Sequence, residues 1–296
     1  MNYNRLVVHT DFDGLMAAFL LRKLFGKLDV VFVDPHSIEI GAFQGTAHDI
    51  TADLPWPGAG LWFDHHATNA RNRDKGVFDE KAPSSPRVIY EHYKKEHPEL
   101  DEHYELIEAS DKIDFARFTE EDVRNPDKWM RLSSTLDFGE KEDDDNYKLH
   151  VLNLLDEKGY SAVFEDDWVK RRMKQYEENL QKWREAIVGR MKPVGKALVV
   201  DLTHDENFPR GNQFEIYLMH PDCVVTVSVY HSKHEKEHYK ISCGVNIFCK
   251  GKNKVHLGEL MKKYGGGGHF YAAGCTIPKK DKDRVLNEIL TVLNAD

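Results

Sequence analysis

Apolar runs separated by helical patterns organise the first third of the chain. Residues 5–10 and 27–35 each contain a continuous apolar run typical of a buried strand, and residues 14–26 between them place apolar side chains at helical spacing. Two further strands are predicted within residues 45–56 and 60–69. Because strands and helices alternate, this part of the chain is predicted to form a doubly wound α/β fold with a parallel sheet.

The middle of the chain has mostly helical patterns. Helices are predicted at residues 84–97, which begin with two serines suited to capping, and at residues 101–114. Residues 168–191 form a long amphipathic pattern, which we expect to be a helix that connects two domains. The acidic run at residues 141–145 predicts a solvated loop.

A second pattern of strands and helices begins near residue 195 and continues to the last helix at residues 284–293. We therefore predict an N-terminal α/β domain over residues 1–165, a helical connector over 166–194 and a smaller C-terminal α/β domain over 195–296. A chain of 296 residues is long enough for two such domains.

Composition narrows the class of protein. The net charge is −9, from 41 basic and 50 acidic residues, which favours small or short anionic substrates over tracking along nucleic acid. No apolar run is long enough to cross a membrane, and Arg5 interrupts the only early apolar run that could act as a signal peptide. The four cysteines have no framework spacing, so a reducing, cytoplasmic location is expected.

Acidic and imidazole side chains follow the predicted strands. His9, Asp11 and Asp13 alternate, so they can share one face of an extended segment, and Gly14 then allows a tight turn into the helix. Further groups follow the next strands and a helix: Asp49 and Asp53; Asp64, His65 and His66; and Asp111 and Asp114. Ligands bind at the carboxyl ends of parallel strands, where these residues fall.

So many carboxylates close together would repel each other unless a cation lies between them. Oxygen donors with one or two imidazoles suit Mn²⁺, Mg²⁺ or Fe²⁺. The number of carboxylates exceeds what one ion needs, so we predict two divalent cations about 3.5–4 Å apart that share a carboxylate.

A glycine run marks the second domain. Gly265, Gly266, Gly267 and Gly268 precede His269, and a helix C-cap needs only one glycine. The run predicts backbone that approaches another group very closely, and its consecutive N–H groups could bind an anion.

These motifs resemble those of the DHH phosphoesterase superfamily. The resemblance rests on residues 9–14, an aspartate at a strand end, the Asp-His-His of residues 64–66 and an aspartate within residues 110–114. Residues 264–274 resemble the DHH-associated C-terminal domain. Together the motifs span nearly the whole chain, and they are most similar to nano-RNases, 3′-phosphoadenosine 5′-phosphate (pAp) phosphatases and dinucleotide phosphodiesterases.

The resemblance implies a role for each matching residue. His9 and Asp11 would hold one Mn²⁺ and Asp13 the other, while Asp53 would bridge both ions. Catalytic roles fall to His66, near the substrate phosphate, and to Asp64, which orients its neighbours. The other implied ligands of the second ion are His65 and Asp111, and the implied substrate-binding residues are Gly265, Gly266, Gly267, Gly268 and His269.

Two of these assignments have alternatives. Asp49 could take the bridging role in place of Asp53, and we prefer Asp53 for its spacing to the Asp-His-His. Asp114 could replace Asp111, which we prefer because Phe115 fits the apolar residue that the family carries a few positions later.

The function implied is a two-metal, Mn²⁺-dependent phosphodiesterase that converts short oligonucleotides or linear dinucleotides (pNpN) to mononucleotides. Alternatives are a pAp phosphatase, a cyclic-dinucleotide phosphodiesterase, a polyphosphate or pyrophosphate hydrolase, and a nucleotide-binding sensor without catalysis. The expected partners are therefore short oligonucleotides or small nucleotides. No membrane association is expected, and a homodimer is possible. Phe270 or Tyr271 could stack on a base, or either could be buried.

Overall fold

A computed structural model of the chain describes residues 3–137, 141–205, 208–232 and 235–295. The contacts divide the chain into two compact units. Unit 1 comprises Met1–Phe118 and Asn125–Tyr176, and unit 2 comprises Thr119–Arg124 and Glu177–Asp296.

Five parallel strands form the sheet of unit 1. The strands are β1 (Arg5–His9), β2 (Asp29–Val33), β3 (Asp49–Ala52), β4 (Leu61–Asp64) and β5 (Val77–Phe78), in the order β2-β1-β3-β4-β5. Every neighbouring pair in this order is parallel. The predicted α/β fold with a parallel sheet is confirmed.

Helices of unit 1 account for most of its remaining residues. The first four are α1 (Phe12–Phe25), α2 (Pro35–Glu39), α3 (Ser85–Tyr93) and α4 (Tyr104–Asp114). The next helix in the chain, α5 (Glu120–Arg124), belongs to unit 2. Unit 1 then continues with α6 (Lys128–Ser133), α7 (Lys141–Lys158) and α8 (Tyr160–Glu165). Helix α9 (Asp167–Ile187) is the long amphipathic helix, and the division between the units falls within it.

The core of unit 1 lies between the sheet and α1. Leu6 and Val8 of β1 and Phe63 of β4 are fully buried there against the apolar residues of α1. Gly14 makes this packing possible, because a Cβ at its position would lie only 2.3 Å from the carbonyl oxygen of His9. The start of α1 is therefore held directly against the end of β1.

Six strands form a mixed sheet in unit 2. They are β6 (Met191–Val194), β7 (Ala197–Asp201), β8 (Val225–His231), β9 (His238–Val245), β10 (Gly267–Gly268) and β11 (Ala272–Pro278), in the order β10-β11-β9-β8-β7-β6. Among these described strands, only β7 and β8 pair in parallel. The helices of this part are α10 (Glu215–Met219), α11 (Leu257–Lys262) and α12 (Lys282–Asn294). In the described part of the chain, no helix combines the length and the apolar content that crossing a bilayer requires.

The acidic run at residues 141–145 is helical, so the prediction of a solvated loop is wrong. It forms the first turn of α7, where acidic side chains interact favourably with the positive end of the helix dipole. Arg172 of α9 is buried and pairs with both Asp143 and Asp144, and its guanidinium lies 4.5 Å from the ring of Tyr147. The run is ordered because it neutralises a buried cation, a partner that is 28 or 29 residues away in sequence.

This buried ion pair predicts a difference between two adjacent aspartates. We expect Asp144→Asn to lower the free energy of unfolding by about 2–3 kcal/mol, because it leaves Arg172 buried with one partner fewer. Asp143→Asn is the matched control: its side chain is 60% exposed, so the expected loss is under about 1 kcal/mol. Urea denaturation followed by circular dichroism measures both, and equal losses would contradict the assignment.

Candidate metal centre

The ends of three neighbouring strands carry the polar side chains of the site. His9 ends β1, Asp53 directly follows β3, and Asp64 ends β4. Because these strands are adjacent and parallel, their carboxyl ends meet at one edge of the sheet. Helix α1 begins at the same edge, where Asp11 is the N-cap and accepts a hydrogen bond from Gly14 N at 3.0 Å.

His9, Asp11 and Asp53 form the first group of metal-type donors. His9 Nδ1 lies 2.8 Å from Asp11 Oδ2 and 3.2 Å from Asp53 Oδ2. One ligand atom from each of the three residues lies within 4.8 Å of the others. An imidazole beside two carboxylates is a donor set that divalent Mn or Fe accepts.

Asp13, His65 and Asp114 form the second group. His65 Nε2 lies 3.7 Å from Asp13 Oδ2 and 3.5 Å from Asp114 Oδ2, and it makes no hydrogen bond to either. Asp13 Oδ1 is likewise buried without a hydrogen-bond partner. Leaving such a buried polar atom unpaired costs about 1–3 kcal/mol. Both unpaired atoms belong to residues of one group of metal-type donors, as expected if a cation binds there.

Asp53 joins the two groups. Its Oδ2 faces His9, and its Oδ1 lies 3.6 Å from His65 Nε2 and 3.5 Å from His66 Nδ1. The residue is 1% exposed and has φ of +61°, in the left-handed region that an aspartate seldom occupies. Such a conformation costs about 1–3 kcal/mol and is concentrated at functional sites. The strain here turns a carboxylate into the space between the groups.

The tautomer of His65 is set by the backbone. His65 Nδ1 lies 3.2 Å from the carbonyl oxygen of Ala82, which can only accept a hydrogen bond. Nδ1 therefore carries the proton, and in the neutral ring the lone pair of Nε2 points at the carboxylates. Metal-bound histidines usually have this arrangement.

His66 is held by a chain of hydrogen bonds beside the groups. Its Nδ1 donates to Asp64 Oδ1 at 2.9 Å, and Asp64 Oδ2 accepts from Asn69 Nδ2 at 2.7 Å. Asp64 is fully buried, whereas the His66 side chain is one-third exposed. The structure thus places Asp64 behind His66 and leaves part of the imidazole open to solvent.

The preference for Asp111 over Asp114 conflicts with the geometry. Asp111 accepts from Arg87 Nε at 2.9 Å, from Arg87 Nη2 at 2.5 Å and from Ser84 Oγ at 2.6 Å, so both of its carboxylate oxygens already have partners. One turn later on α4, Asp114 faces His65. Spacing along a helix does not reveal which of two aspartates has a basic partner on the neighbouring helix.

Asp49 and Asp53 also differ in their contacts. Asp49 is buried in a bidentate pair with Arg5, at 3.0 Å from Nε and 2.7 Å from Nη2, and it also accepts from Thr46 N at 2.7 Å. It lies at the opposite end of β3 from the two groups. The structure therefore brings Asp53 to the site, as preferred, while its role as a bridging ligand stays a prediction.

Ser85 and Arg87 contribute to the site but were not singled out by the sequence analysis. Ser85 N donates to Asp13 Oδ2 at 2.8 Å, and Ser85 Oγ lies 3.3 Å from Asp53 Oδ1. Arg87, two residues later, ties the start of α3 to α4 through Asp111. The two serines gave a signal only as helix caps, because the contacts of Ser85 span 32 and 72 residues of sequence.

Charge crowding shifts the pKa values of the site. Burial and the charge of Asp53 raise the pKa of Asp114 to about 7, and burial with the neighbouring carboxylates raises that of Asp13 well above its usual range. Burial alone would lower the pKa of the imidazoles, but nearby carboxylates outweigh it and raise the pKa of His9 to about 11 and that of His66 to about 9. Protons thus stabilise the metal-free site, as a cation would.

The glycine run is explained in part by packing within unit 2. Gly265 has φ of +75° and follows the end of α11. Cβ atoms at Gly266 and Gly268 would lie 2.1 Å from Gly274 O and 2.5 Å from Ala272 O of β11. The close approach that the glycine run predicts is therefore made in part to the protein's own backbone, which requires at least two of these glycines. A Cβ at Gly267 would meet no atom within 4 Å, and the binding roles of the run and of His269 stay predictions.

The chain matches one protein-domain model and is similar to several solved structures. The DHHA1 domain model matches residues 217–295. The pGpG-specific phosphodiesterase PggH from Vibrio cholerae is 32% identical over 99% of both chains, with a TM-score of 0.81. RecJ from Thermus thermophilus, crystallised with Mn²⁺, is 14% identical over 98% of this chain and 52% of its own, with a TM-score of 0.60, which shows the fold alone. No curated protein matches the sequence.

The pKa shifts predict how pH affects the metal-free protein. The pKa values of His9 and His66 are higher in the folded protein than their usual value of 6.5. The stabilisation that these protonated imidazoles give is therefore complete below about pH 6.5. It is lost as the pH rises to about 9 for His66 and to about 11 for His9. The raised pKa of Asp114 acts with the same sign between its usual 3.8 and about 7. We therefore expect the Tm of EDTA-treated protein to fall steadily from about pH 6 to about pH 9.5.

Added Mn²⁺ replaces these protons, so its stabilisation should increase over the same pH range. Differential scanning calorimetry with and without Mn²⁺ measures both trends, and His66→Gln should flatten the fall above about pH 7. If the Tm of the metal-free protein stays constant or rises over this pH range, charge crowding is not the origin of the pKa shifts.

Proposed function

The chain belongs to the DHH phosphoesterase superfamily, and on that premise we propose that it hydrolyses the phosphodiester bonds of linear dinucleotides (pNpN) and short oligonucleotides. The observation that carries the proposal is the 32% identity to a pGpG-specific phosphodiesterase over 99% of both chains. The donor groups that meet at Asp53 and His65 supply the residues that such a reaction requires.

Two divalent cations fit the donor groups, and we propose Mn²⁺ as the ion. His9 and Asp11 would hold one, Asp13, His65 and Asp114 the other, and Asp53 would bridge them. This assignment replaces Asp111 with Asp114 because of the contacts of the two carboxylates. When bound, such a pair lowers the pKa of water and neutralises phosphate oxygens.

The reaction balances without a covalent enzyme intermediate. A water oxygen forms a bond to phosphorus as the bond from phosphorus to the 3′ oxygen breaks, and the 3′ oxygen gains a proton. From pNpN the products are two nucleoside 5′-monophosphates. The raised pKa of His66, about 9, favours the protonated ring, in which Nδ1 donates to Asp64 and Nε2 can donate a hydrogen bond to the phosphate.

Ser85 has a positioning role in this account. Its N–H donates to Asp13 Oδ2, the oxygen that lies 3.7 Å from His65 Nε2, and so holds the Asp13 carboxylate in place within the second group. In unit 2 we propose that Gly267 and His269 contact a terminal phosphate of the substrate, since the Gly267 position is open. A homodimer and a cytoplasmic location stay predictions from the sequence.

The activity is tested with purified Mn²⁺-loaded protein and six substrates: pGpG, pApA, a five-nucleotide RNA, pAp, cyclic di-AMP and polyphosphate. We expect mononucleotides from the two dinucleotides and the RNA, and a loss of at least about 100-fold in rate with EDTA. Mg²⁺ and Fe²⁺ in place of Mn²⁺ test the choice of ion. Orthophosphate released from pAp or polyphosphate alone would contradict the proposal, and so would turnover that EDTA leaves unchanged.

The two aspartates of α4 provide a matched pair of variants. We expect Asp114→Asn to weaken Mn²⁺ binding by at least about 100-fold, since it removes a ligand. Asp111→Asn should cost about 10-fold, because it loosens only the Arg87 contact behind the site. Isothermal titration calorimetry with Mn²⁺ measures both affinities. Full affinity in Asp114→Asn with loss in Asp111→Asn would restore the original preference.

A further inference from the structure

A lysine-rich loop between β9 and α11 is firmly anchored at both ends. At its start the buried Asn246 donates from Nδ2 to Cys223 O at 2.9 Å and accepts from Phe248 N at 3.0 Å. At its end the buried Asn253 donates to Val255 O at 2.8 Å. The three lysines between and beside these anchors are Lys250, Lys252 and Lys254. The loop is therefore a fixed basic surface.

Tyr271 lies beside this loop with its side chain exposed. It is 47% exposed, one of the few large apolar side chains of the described residues that solvent reaches to this degree. Its backbone is fixed, because its carbonyl accepts from Val245 N at 2.8 Å. The ammonium of Lys250 lies 5.6 Å from the centre of the ring. An aromatic face on a rigid backbone and beside a cation is well suited to bind an anionic ligand that carries a planar ring.

The neighbouring aromatic residue has a different environment. Phe270 is half-buried, with its ring packed at 5.3 Å against His256 and at 4.9 Å against Tyr271. Its carbonyl accepts from Leu257 N at the start of α11. Phe270 therefore supports the Tyr271 ring from the side, and of the two aromatic residues only Tyr271 offers an open face.

The turn that carries Tyr271 also carries His269. His269 N donates to Ala272 O at 2.7 Å, which closes the turn, and His269 O accepts from Gly258 N at 2.9 Å. Both ends of the turn are thus held by backbone hydrogen bonds. Because His269 and Tyr271 are two residues apart on one fixed turn, a ligand that reaches the exposed His269 is close to the tyrosine ring.

We propose that Tyr271 is the stacking platform for a purine base of the dinucleotide substrate, with Lys250 providing positive charge beside it. The inference rests on the proposed function and adds the residue that selects the base. Stacking on an aromatic side chain accepts every base but is strongest for purines, which have the larger ring surface. The platform therefore predicts a preference for pGpG and pApA over pUpU.

The test compares KM and kcat of the full-length, Mn²⁺-loaded protein and its variants on pGpG, pUpU and an abasic 5′-phosphorylated dinucleotide of the same charge. Tyr271→Ala should raise KM for pGpG by roughly 5- to 150-fold, the equivalent of about 1–3 kcal/mol of stacking, with kcat within about twofold. Tyr271→Trp should retain the wild-type KM and the purine preference. Turnover of the abasic substrate should be the same in all three proteins.

Two lysine variants separate local charge from overall charge. Lys250→Ala should raise KM for all three substrates, whereas Lys280→Ala, which removes an exposed lysine elsewhere in unit 2, should leave KM unchanged. If the wild type cleaves pGpG and Tyr271→Ala has the same KM and the same purine preference, Tyr271 is not the stacking platform. The proposed function would then remain intact. An equal loss on the abasic substrate would also overturn it, because the effect would then be structural. No turnover of any dinucleotide by wild type would refute the proposed function itself.

Discussion

Repulsion among buried carboxylates is the interaction on which the rest of the structure depends. Asp13, Asp53 and Asp114 approach a common space from a helix start, a strand end and a helix end. Asp13 and Asp53 are almost fully buried, and the Asp114 side chain is 23% exposed. Metal-free protein can tolerate this only by binding protons, and the raised pKa values express that cost. The proposed pair of divalent cations would remove the repulsion and could satisfy the unpaired atoms of Asp13 and His65. On the proposed function, the carboxylates that destabilise the metal-free protein are the ones that would carry its chemistry.

Groups behind the site keep the carboxylates from moving apart. Ser85 fixes Asp13, Ala82 fixes the ring of His65, and the pairing of Arg87 with Asp111 holds α3 against α4. These contacts use backbone groups or buried charge pairs, which have few alternative partners. The positions of the donors are therefore determined by the fold before any cation binds, and this order lowers the cost of binding.

The sequence was sufficient to predict what depends on local pattern. The parallel sheet and the grouping of acidic and imidazole residues near the carboxyl ends of its strands could be predicted because period and strand order determine them. The expectation that His9, Asp11 and Asp13 share one face of an extended segment is wrong, because β1 ends at His9, Asp11 caps α1 and Asp13 lies in the first turn of that helix. The choice between Asp111 and Asp114 could not, since it depends on an arginine on another helix. The helical start of α7 was missed for the same reason: the buried Arg172 that stabilises its aspartates is distant in sequence. The glycine run was only partly understood, because its closest neighbours belong to a later strand.

The measurement that tests the central claim most directly is electron paramagnetic resonance of protein titrated with Mn²⁺, combined with the count of ions bound per chain. If Asp53 bridges two cations, the wild type will bind two Mn²⁺ per chain and give the spectrum of a magnetically coupled pair. Asp53→Ala should lose the coupling, while the far-ultraviolet circular dichroism of the fold is retained. A single bound ion, or two ions with uncoupled six-line spectra in the wild type, would contradict the account.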